Sequence, residues 1–192
     1  YGLIIYLPTL LGSFGVHSHT AALLWNVIFD LVALGGIALL ALTTRKIGRL
    51  LPQNIGFALD VLFLGTLGLV ALVAQPPLWL LAITLFGYTF FNNFGPGSTT
   101  WFLPVELFPT DLRASAHGLA TACSRVAAAT SVFLLPSVHA AVGDGWLMLI
   151  LAFTALIGLI VTMILGRNLE PGNRSLEEIS ETDPEAALQP AA

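Results

Sequence analysis

Long apolar runs separated by short polar connections dominate the chain. They occupy residues 1–14, 20–43, 54–74, 78–103, 114–138 and 144–166. An α-helix needs about 20 such residues to cross about 30 Å of hydrocarbon, and all the runs except the first are long enough. Short connections make successive helices antiparallel neighbours. The pattern therefore predicts an all-α fold, a polytopic membrane bundle of six transmembrane helices whose first helix is cut short at its start.

Composition supports this class. Of 192 residues, 56% are hydrophobic and only 9% are charged, whereas soluble domains carry about 25% charged residues. After residue 166 the chain becomes acidic and poor in aromatic residues. This change predicts a transmembrane domain at 1–166 and a disordered tail at 167–192. The net charge of −4 comes mostly from that tail, and it gives no reason to expect a nucleic-acid partner.

Among the connections between the runs, Lys and Arg occur on one side of the predicted bundle only. The connections around residues 45–49 and 113 carry Lys or Arg, as does the tail, whereas the other three connections carry neither. Because cytoplasmic loops of membrane proteins are enriched in these residues, we expect the basic connections and the C-terminus in the cytoplasm. The predicted location is the cell membrane, with multiple crossings.

A few charged residues fall inside the apolar runs, where each needs a partner or a purpose. Asp30 shares a helix face with Asn26 and is interpreted as a proton carrier or gating acid. Arg125 lies deep in the fifth run, where a guanidinium needs an anion or a carboxylate. An Asp30–Arg125 pair is the structural alternative. Asp60 is expected to reach the membrane interface or a nearby base.

The fourth run contains a predicted helix break at Gly95, Pro96 and Gly97. At helical spacing one face is polar, carrying Tyr88, Asn92, Pro96 and Thr99, with Thr89, Asn93 and Thr100 beside it. Proline between two glycines would open the backbone and leave carbonyls free. Such backbone is tolerated at membrane depth only against protein or a water-filled cavity. We interpret this face as cavity lining. The alternative is helix packing through small and amide side chains.

The first run shows a related pattern of Tyr1-Gly2 followed by Tyr6 and Pro8. It lies three runs before the break in the fourth, so the six segments can be divided into two related triplets. Helices interrupted at matching places in two inverted repeats are typical of a transporter's midplane binding site. The chain also opens within an apolar run without a methionine, from which we expect that it is a fragment.

Several motifs together resemble the C-terminal half of a major facilitator superfamily transporter. They are Gly95-Pro96, Thr99-Thr100, Pro104, the string Glu106-x-Phe108-Pro109-Thr110-x-x-Arg113, and His117-Gly118. The string is similar to one that marks the sugar-porter-related branch. The fuller stretch 92–118 is most similar to proton-coupled phosphate symporters and their bacterial metabolite-symporter relatives. Residues 45–49 resemble the family's cytoplasmic loop motif.

The resemblance implies helices seven to twelve of a twelve-helix transporter, with an N-terminal six-helix half as partner. It implies alternating access around a central site. Asn93 matches a substrate-binding position of the phosphate symporters, and Tyr1 matches the tyrosine of their Tyr-Gly motif. Arg125 lies where those relatives tend to carry a lysine, which implies an anion-attracting or gating cation.

Arg49, Glu106 and Arg113 would, by the same resemblance, form a cytoplasmic charge network that latches the bundles in one state. Plain interfacial charge is the alternative. The chain also departs from the family's patterns: Arg45 replaces an Asp, Gly97 replaces an Asn common in phosphate symporters, and Asp111 replaces a base. These departures leave sugars and organic acids open as substrates.

The sequence thus predicts a proton-coupled secondary transporter that is driven by the proton gradient and needs no cofactor. The predicted substrate-binding residues are Asn93, Asn92, Tyr88, Tyr1 and Thr99, with Asp30 and Arg125 for proton coupling or gating. A channel or a non-transporting receptor on the same scaffold is the alternative, although a channel should show a continuous polar ring. No nucleophile–base pair or metal cluster in the sequence indicates an enzyme or a metal site.

Overall fold

The structure is a computed structural model, and it describes residue 12 and residues 19–107 and 110–166. The helices are α1 (His19–Ile47), α2 (Leu50–Val73), α3 (Leu78–Phe94), α4 (Pro96–Leu107) and α5 (Thr110–Gly166). These ranges contain no strand, in agreement with the predicted all-α fold. Tyr1 and the rest of the predicted first span, apart from residue 12, lie outside the described residues. The predicted tail lies outside them as well.

Glycine and proline set several helix ends. Gly48 has a φ of 75° and donates its N–H to the Thr44 carbonyl at 3.1 Å, so α1 ends in a left-handed residue. Pro52 lies in the first turn of α2, where an amide N–H has no helical partner to lose. Pro77, in extended conformation, precedes α3, and its carbonyl accepts the Leu80 N–H at 2.9 Å.

Within the described ranges, three helical stretches are long and apolar enough to cross a membrane. They are Leu24–Ile47, Leu50–Val73 and Leu112–Ile164. Large apolar side chains lie on the outer surface, among them Phe133, which is 80% exposed, and Leu42, which is 77% exposed. Apolar surface on this scale is not tolerated in water. The chain is therefore an integral membrane protein.

Two helix interruptions divide the second half of the structure. The predicted fourth span consists of α3 and α4, which are separated at Gly95 (φ −112°, ψ −110°). The predicted fifth and sixth spans are both contained in α5, which is interrupted at Gly143 (φ 79°, ψ 175°). Without an interruption, the 57 residues of α5 would extend for about 85 Å, far more than one membrane crossing requires.

The central helix is α2, which packs mainly against α5 and α3, while α1 packs against α3. The buried core residues are Phe29, Leu64, Leu67, Leu81, Leu85, Leu135, Leu147, Met148 and Ala152. Aromatic rings join α1 to α3, where Trp25 stacks on Phe86 at 5.3 Å between ring centres. Glycines allow closer approach elsewhere: a Cβ on Gly36 of α1 would lie 3.0 Å from the Phe94 backbone nitrogen.

Candidate functional site

The α3–α4 junction pairs its backbone carbonyls with side-chain hydroxyls. The Ser98 hydroxyl donates to the Asn93 carbonyl at 2.6 Å, and the Thr99 hydroxyl donates to the Gly95 carbonyl at 3.0 Å. The Thr100 hydroxyl donates to the Pro96 carbonyl. The expectation that the break leaves carbonyls free is therefore wrong for the Asn93 carbonyl, which precedes the break, whereas the Gly95 carbonyl also accepts backbone N–H groups of α4. Short hydroxyl side chains just after the break can reach back to these carbonyls, and this lowers the cost of interrupting a helix inside a membrane protein.

A cavity of about 300 Å³ lies against this junction. Its walls come from α3, α4 and the first half of α5, with the lining residues Asn92, Pro96, Gly97, Thr100, Trp101, Leu103, Ala120, Thr121 and Ser124. The volume is at the lower end of the range for small-ligand sites, about 300–1,000 Å³. Amide, hydroxyl and indole groups in an otherwise apolar wall can orient a small polar solute. This cavity is the candidate binding site.

Asn92 connects the cavity to a buried acid. Its amide nitrogen donates to the Asp60 Oδ2 atom at 2.7 Å, which joins α3 to α2. Asp60 is only 1% exposed, and its Oδ1 atom is buried without a hydrogen-bond partner. Buried carboxyl groups in membrane proteins are expensive and commonly functional. The pair is therefore a second polar element of the site.

The expectation that Asp60 reaches the membrane interface or a nearby base is wrong. The residue lies about 15 Å along α2 from Leu50, near the middle of the helix. Its hydrogen-bond partner is the neutral Asn92 amide. A sequence signal for this position did exist, because the buried positions of α2 recur every three or four residues: Pro52, Gly56, Asp60, Leu64, Leu67 and Gly68. Glycines on that stripe mark a face that packs against other helices.

Among the predicted substrate-binding residues that the structure describes, Asn92 lines the cavity and the others do not. Asn93 donates its side-chain amide to the Thr89 carbonyl at 2.8 Å, one turn earlier on α3. Thr99 is fully buried, 3.2 Å from the Gln53 Oε1 atom of α2. Tyr88 packs against the apolar core. Tyr1 lies outside the described residues.

The two residues predicted for proton coupling or gating lie on different helices. Asp30 is exposed on α1 and does not line the cavity. The guanidinium carbon of Arg125 lies 5.8 Å from the centre of the Trp101 ring, and Trp101 is a cavity residue. Arg125 also directly follows Ser124, another lining residue. A positive charge therefore stands beside the cavity, held against an aromatic face.

The predicted charge network contains one ion pair in this structure. The Arg49 Nε and Nη2 atoms both donate to the Glu106 Oε1 atom, at 3.1 and 2.7 Å, and tie the start of α2 to the end of α4. Arg113 does not complete the network as predicted, because its Nε atom and the Glu106 Oε2 atom are both buried without a hydrogen-bond partner.

A histidine–carboxyl contact lies near the Gly143 interruption. The His139 Nε2 atom lies 2.7 Å from the Asp144 Oδ1 atom, on the two sides of the glycine. In the part of the chain that the structure describes, His, Cys, Asp and Glu side chains form no group of three that could hold a metal.

The chain is similar to proteins that are named as transporters. A family model described as "Sugar (and other) transporter" matches residues 2–182. The low affinity inorganic phosphate transporter 5 of Petunia hybrida is 39% identical over 148 residues, which cover 72% of this chain and 27% of that protein. The putative metabolite transport protein YaaU of Escherichia coli is 35% identical over 157 residues, which cover 81% of this chain and 34% of that protein.

A solved structure of the major facilitator superfamily proton:xylose symporter XylE, bound to 6-bromo-6-deoxy-D-glucose, shares the fold. The TM-score is 0.76 at 23% identity, with 93% of this chain and 38% of that chain covered. This chain thus spans between about a quarter and two fifths of the length of the proteins it matches. All three proteins are named as transporters or symporters, and none as an enzyme.

Proposed function

Because the chain belongs to the sugar (and other) transporter family, as its motifs predicted, we propose that it forms the C-terminal half of a secondary active transporter. This transporter carries a small polar or anionic solute by alternating access, and an N-terminal six-helix half is its partner. The observation that carries the proposal is the cavity at the α3–α4 break, where an amide and hydroxyls line an interrupted helix. Interrupted helices of this kind surround the binding sites of secondary transporters.

The proposed organisation follows the predicted one. Residues 1–166 form six transmembrane helices in two inverted three-helix repeats, and residues 167–192 form a cytoplasmic tail. The protein lies in the cell membrane with its basic connections on the cytoplasmic side. The interruption at Gly143 supports this organisation, since it divides α5 into two lengths that are each long enough for one crossing.

The proposed substrate is inorganic phosphate or another small oxyanion, and a sugar or an organic acid is the alternative. Arg125 beside Trp101 gives the cavity a positive charge, and the hydroxyls of Thr121 and Ser124 offer donors for oxyanion oxygens. The energy source is the proton gradient, with no cofactor. A proton that enters with an anion lowers the charge that must cross a medium of low dielectric constant.

The test is uptake of labelled phosphate by proteoliposomes that hold the complete transporter, with an inward proton gradient imposed. Ala120→Trp should abolish uptake because it fills the cavity, whereas Leu119→Trp should not, because Leu119 is 68% exposed and lies outside the cavity wall. Equal uptake by both variants would show that the solute does not use this cavity. A protonophore should collapse uptake, and uptake that persists would remove the proton coupling.

The Arg49–Glu106 pair is proposed as a latch that is closed in one conformational state and open in the other. Its side chains are 24% and 28% exposed, so the pair is worth about 1 kcal/mol at most. Glu106→Gln should therefore change the ratio of the two states by about fivefold or less. Distance distributions between spin labels on the two halves measure this ratio, and an unchanged ratio would reduce the pair to ordinary interfacial charge.

A further inference from the structure

The side-chain amide of Asn92 has a defined orientation, which plays no part in the function proposed above. Its nitrogen faces Asp60 at 2.7 Å. Its oxygen lies on the side of Gly97, where a Cβ would come within 2.9 Å of it. Gly97 and Asn92 both belong to the cavity wall. The amide nitrogen therefore donates to the buried acid, and the amide oxygen faces Gly97, a residue of the cavity wall.

We propose that Asp60 carries the transported proton and that its protonation reverses the Asn92 amide. While Asp60 is ionised, it accepts the amide N–H, and the amide oxygen on the Gly97 side repels an anion. Once a proton from water binds the carboxylate, the new O–H donates to the amide oxygen of Asn92. The amide NH₂ then turns toward the cavity and offers donors to an oxyanion. When the proton leaves on the other side of the membrane, the amide returns and the anion is released.

The surroundings of Asp60 favour this exchange. Its Oδ1 atom is buried without a hydrogen-bond partner, so in the described ranges no other side chain competes with the Asn92 amide for the new O–H. Tyr88 on α3 is a titratable side chain within electrostatic reach of Asp60. Among the charged groups of the other packed helices in the described ranges, Asp30 is exposed on α1, Glu106 pairs with Arg49, His139 contacts Asp144, and Arg125 lies over Trp101. Proton exchange at Asp60 therefore breaks no ion pair.

Infrared difference spectra of the complete transporter, recorded between acid and alkaline pH, test Asp60 without any transport. We expect a band of a protonated carboxyl group that disappears on deprotonation. The band should be absent in Asp60→Asn and shifted in frequency in Asp60→Glu, which retains an acid if the first variant fails to fold. Asp144→Asn, an acid beside the Gly143 interruption, is the matched control and should keep the band. A band unchanged in both Asp60 variants, or lost in Asp30→Asn instead, overturns the proposal.

Transport assays with inorganic phosphate test the coupling, and this part rests on the proposed function. Asp60→Asn should lower proton-driven phosphate accumulation at least tenfold while phosphate exchange across the membrane, which needs no net proton movement, continues. Accumulation at the wild-type level, or loss of exchange in a correctly folded variant, overturns the coupling role. If the wild-type protein neither exchanges nor accumulates phosphate, the proposed substrate is wrong, and the infrared result still decides whether Asp60 exchanges a proton.

The role of Asn92 has its own readout. Phosphate should perturb the carboxyl band in the wild-type protein, because the anion and Asp60 compete for the same amide. Asn92→Ala should retain the band but lose its response to phosphate. A response that survives in Asn92→Ala would show that the anion acts on Asp60 by another route and would overturn the amide reversal.

Discussion

In the part of the chain that the structure describes, Gly95 and Gly143 each interrupt a helix, and each is a glycine for a different reason. Gly95 has a negative φ of −112°, and a Cβ there would lie 2.9 Å from the Gly56 Cα atom and still closer to the Pro52 carbonyl oxygen. Gly143 has a φ of 79° and a ψ of 175°, a region essentially restricted to glycine. Nothing lies within 4 Å of a Cβ placed on it.

The contrast separates the interruption that we propose as functional from one that connects two helical stretches. The Gly95 junction is packed against α2 and has a cavity, an amide–acid pair and hydroxyl-bonded carbonyls around it. The Gly143 junction is open and has a His–Asp pair beside it. Proline alone does not mark an interruption, since Pro96 begins α4 whereas Pro136 lies inside α5 without ending it. Close packing and polar neighbours therefore identify the candidate site better than a Gly-Pro pair alone.

Gly95→Ala should have the largest effect on stability. Its methyl group would press on the backbone of α2, which cannot move without displacing the helix, so we expect a loss of about 3 kcal/mol. Thermal unfolding in detergent measures it. Gly65→Ala is the matched control because nothing lies within 4 Å of its Cβ. Equal unfolding temperatures for the two variants would contradict the packing explanation.

Gly143→Ala should have an intermediate effect, because its cost is backbone strain without a clash. A non-glycine residue in this region costs about 2 kcal/mol. We expect the unfolding temperature to fall while phosphate uptake per folded molecule is preserved. Gly118→Ala is the control, because nothing lies within 4 Å of a Cβ placed on Gly118 either. If uptake were lost while stability was retained, the Gly143 interruption would also be functional and the contrast would fail.

Ser98→Ala should have the smallest effect. It removes the hydroxyl that donates to the Asn93 carbonyl at 2.6 Å and leaves that carbonyl without this partner, for a cost of about 1 kcal/mol. Ser131→Ala is the matched change in a regular helix, where the hydroxyl bonds to the Ala128 carbonyl and its loss should be nearly neutral. Chemical denaturation of the two variants in parallel measures the difference, and identical midpoints would show that the junction does not depend on hydroxyl pairing.

Much of the fold follows from local properties of the sequence. Apolar run length gives the helices, and the Gly95-Pro96 pair and the glycines near residue 143 mark places where the structure interrupts them. The motif Glu106-x-Phe108-Pro109-Thr110 pointed to the transporter family without any structure. These features depend on neighbours in the sequence, and single-sequence reasoning handles such neighbours well.

The rest depends on contacts between residues far apart in the chain. Asp60 and Asn92 are 32 residues apart, and Arg49 and Glu106 are 57 apart. Their pairing follows from which face each helix presents to its neighbours, and the charge pattern alone does not give it. For the same reason Asp30 was a better candidate than Asp60 on sequence grounds, although it is Asp60 that is buried and bonded to a cavity residue.

The central claim is that water and a solute reach the helix break at Gly95. Reaction with a membrane-impermeant thiol reagent tests it, in the complete transporter with the exposed Cys123 replaced by alanine. Ser124→Cys lies in the cavity wall and should react, and phosphate should slow its reaction; Leu119→Cys, outside the cavity wall, should not react. A Ser124→Cys variant as inert as Leu119→Cys, in a protein that still transports, would contradict the account.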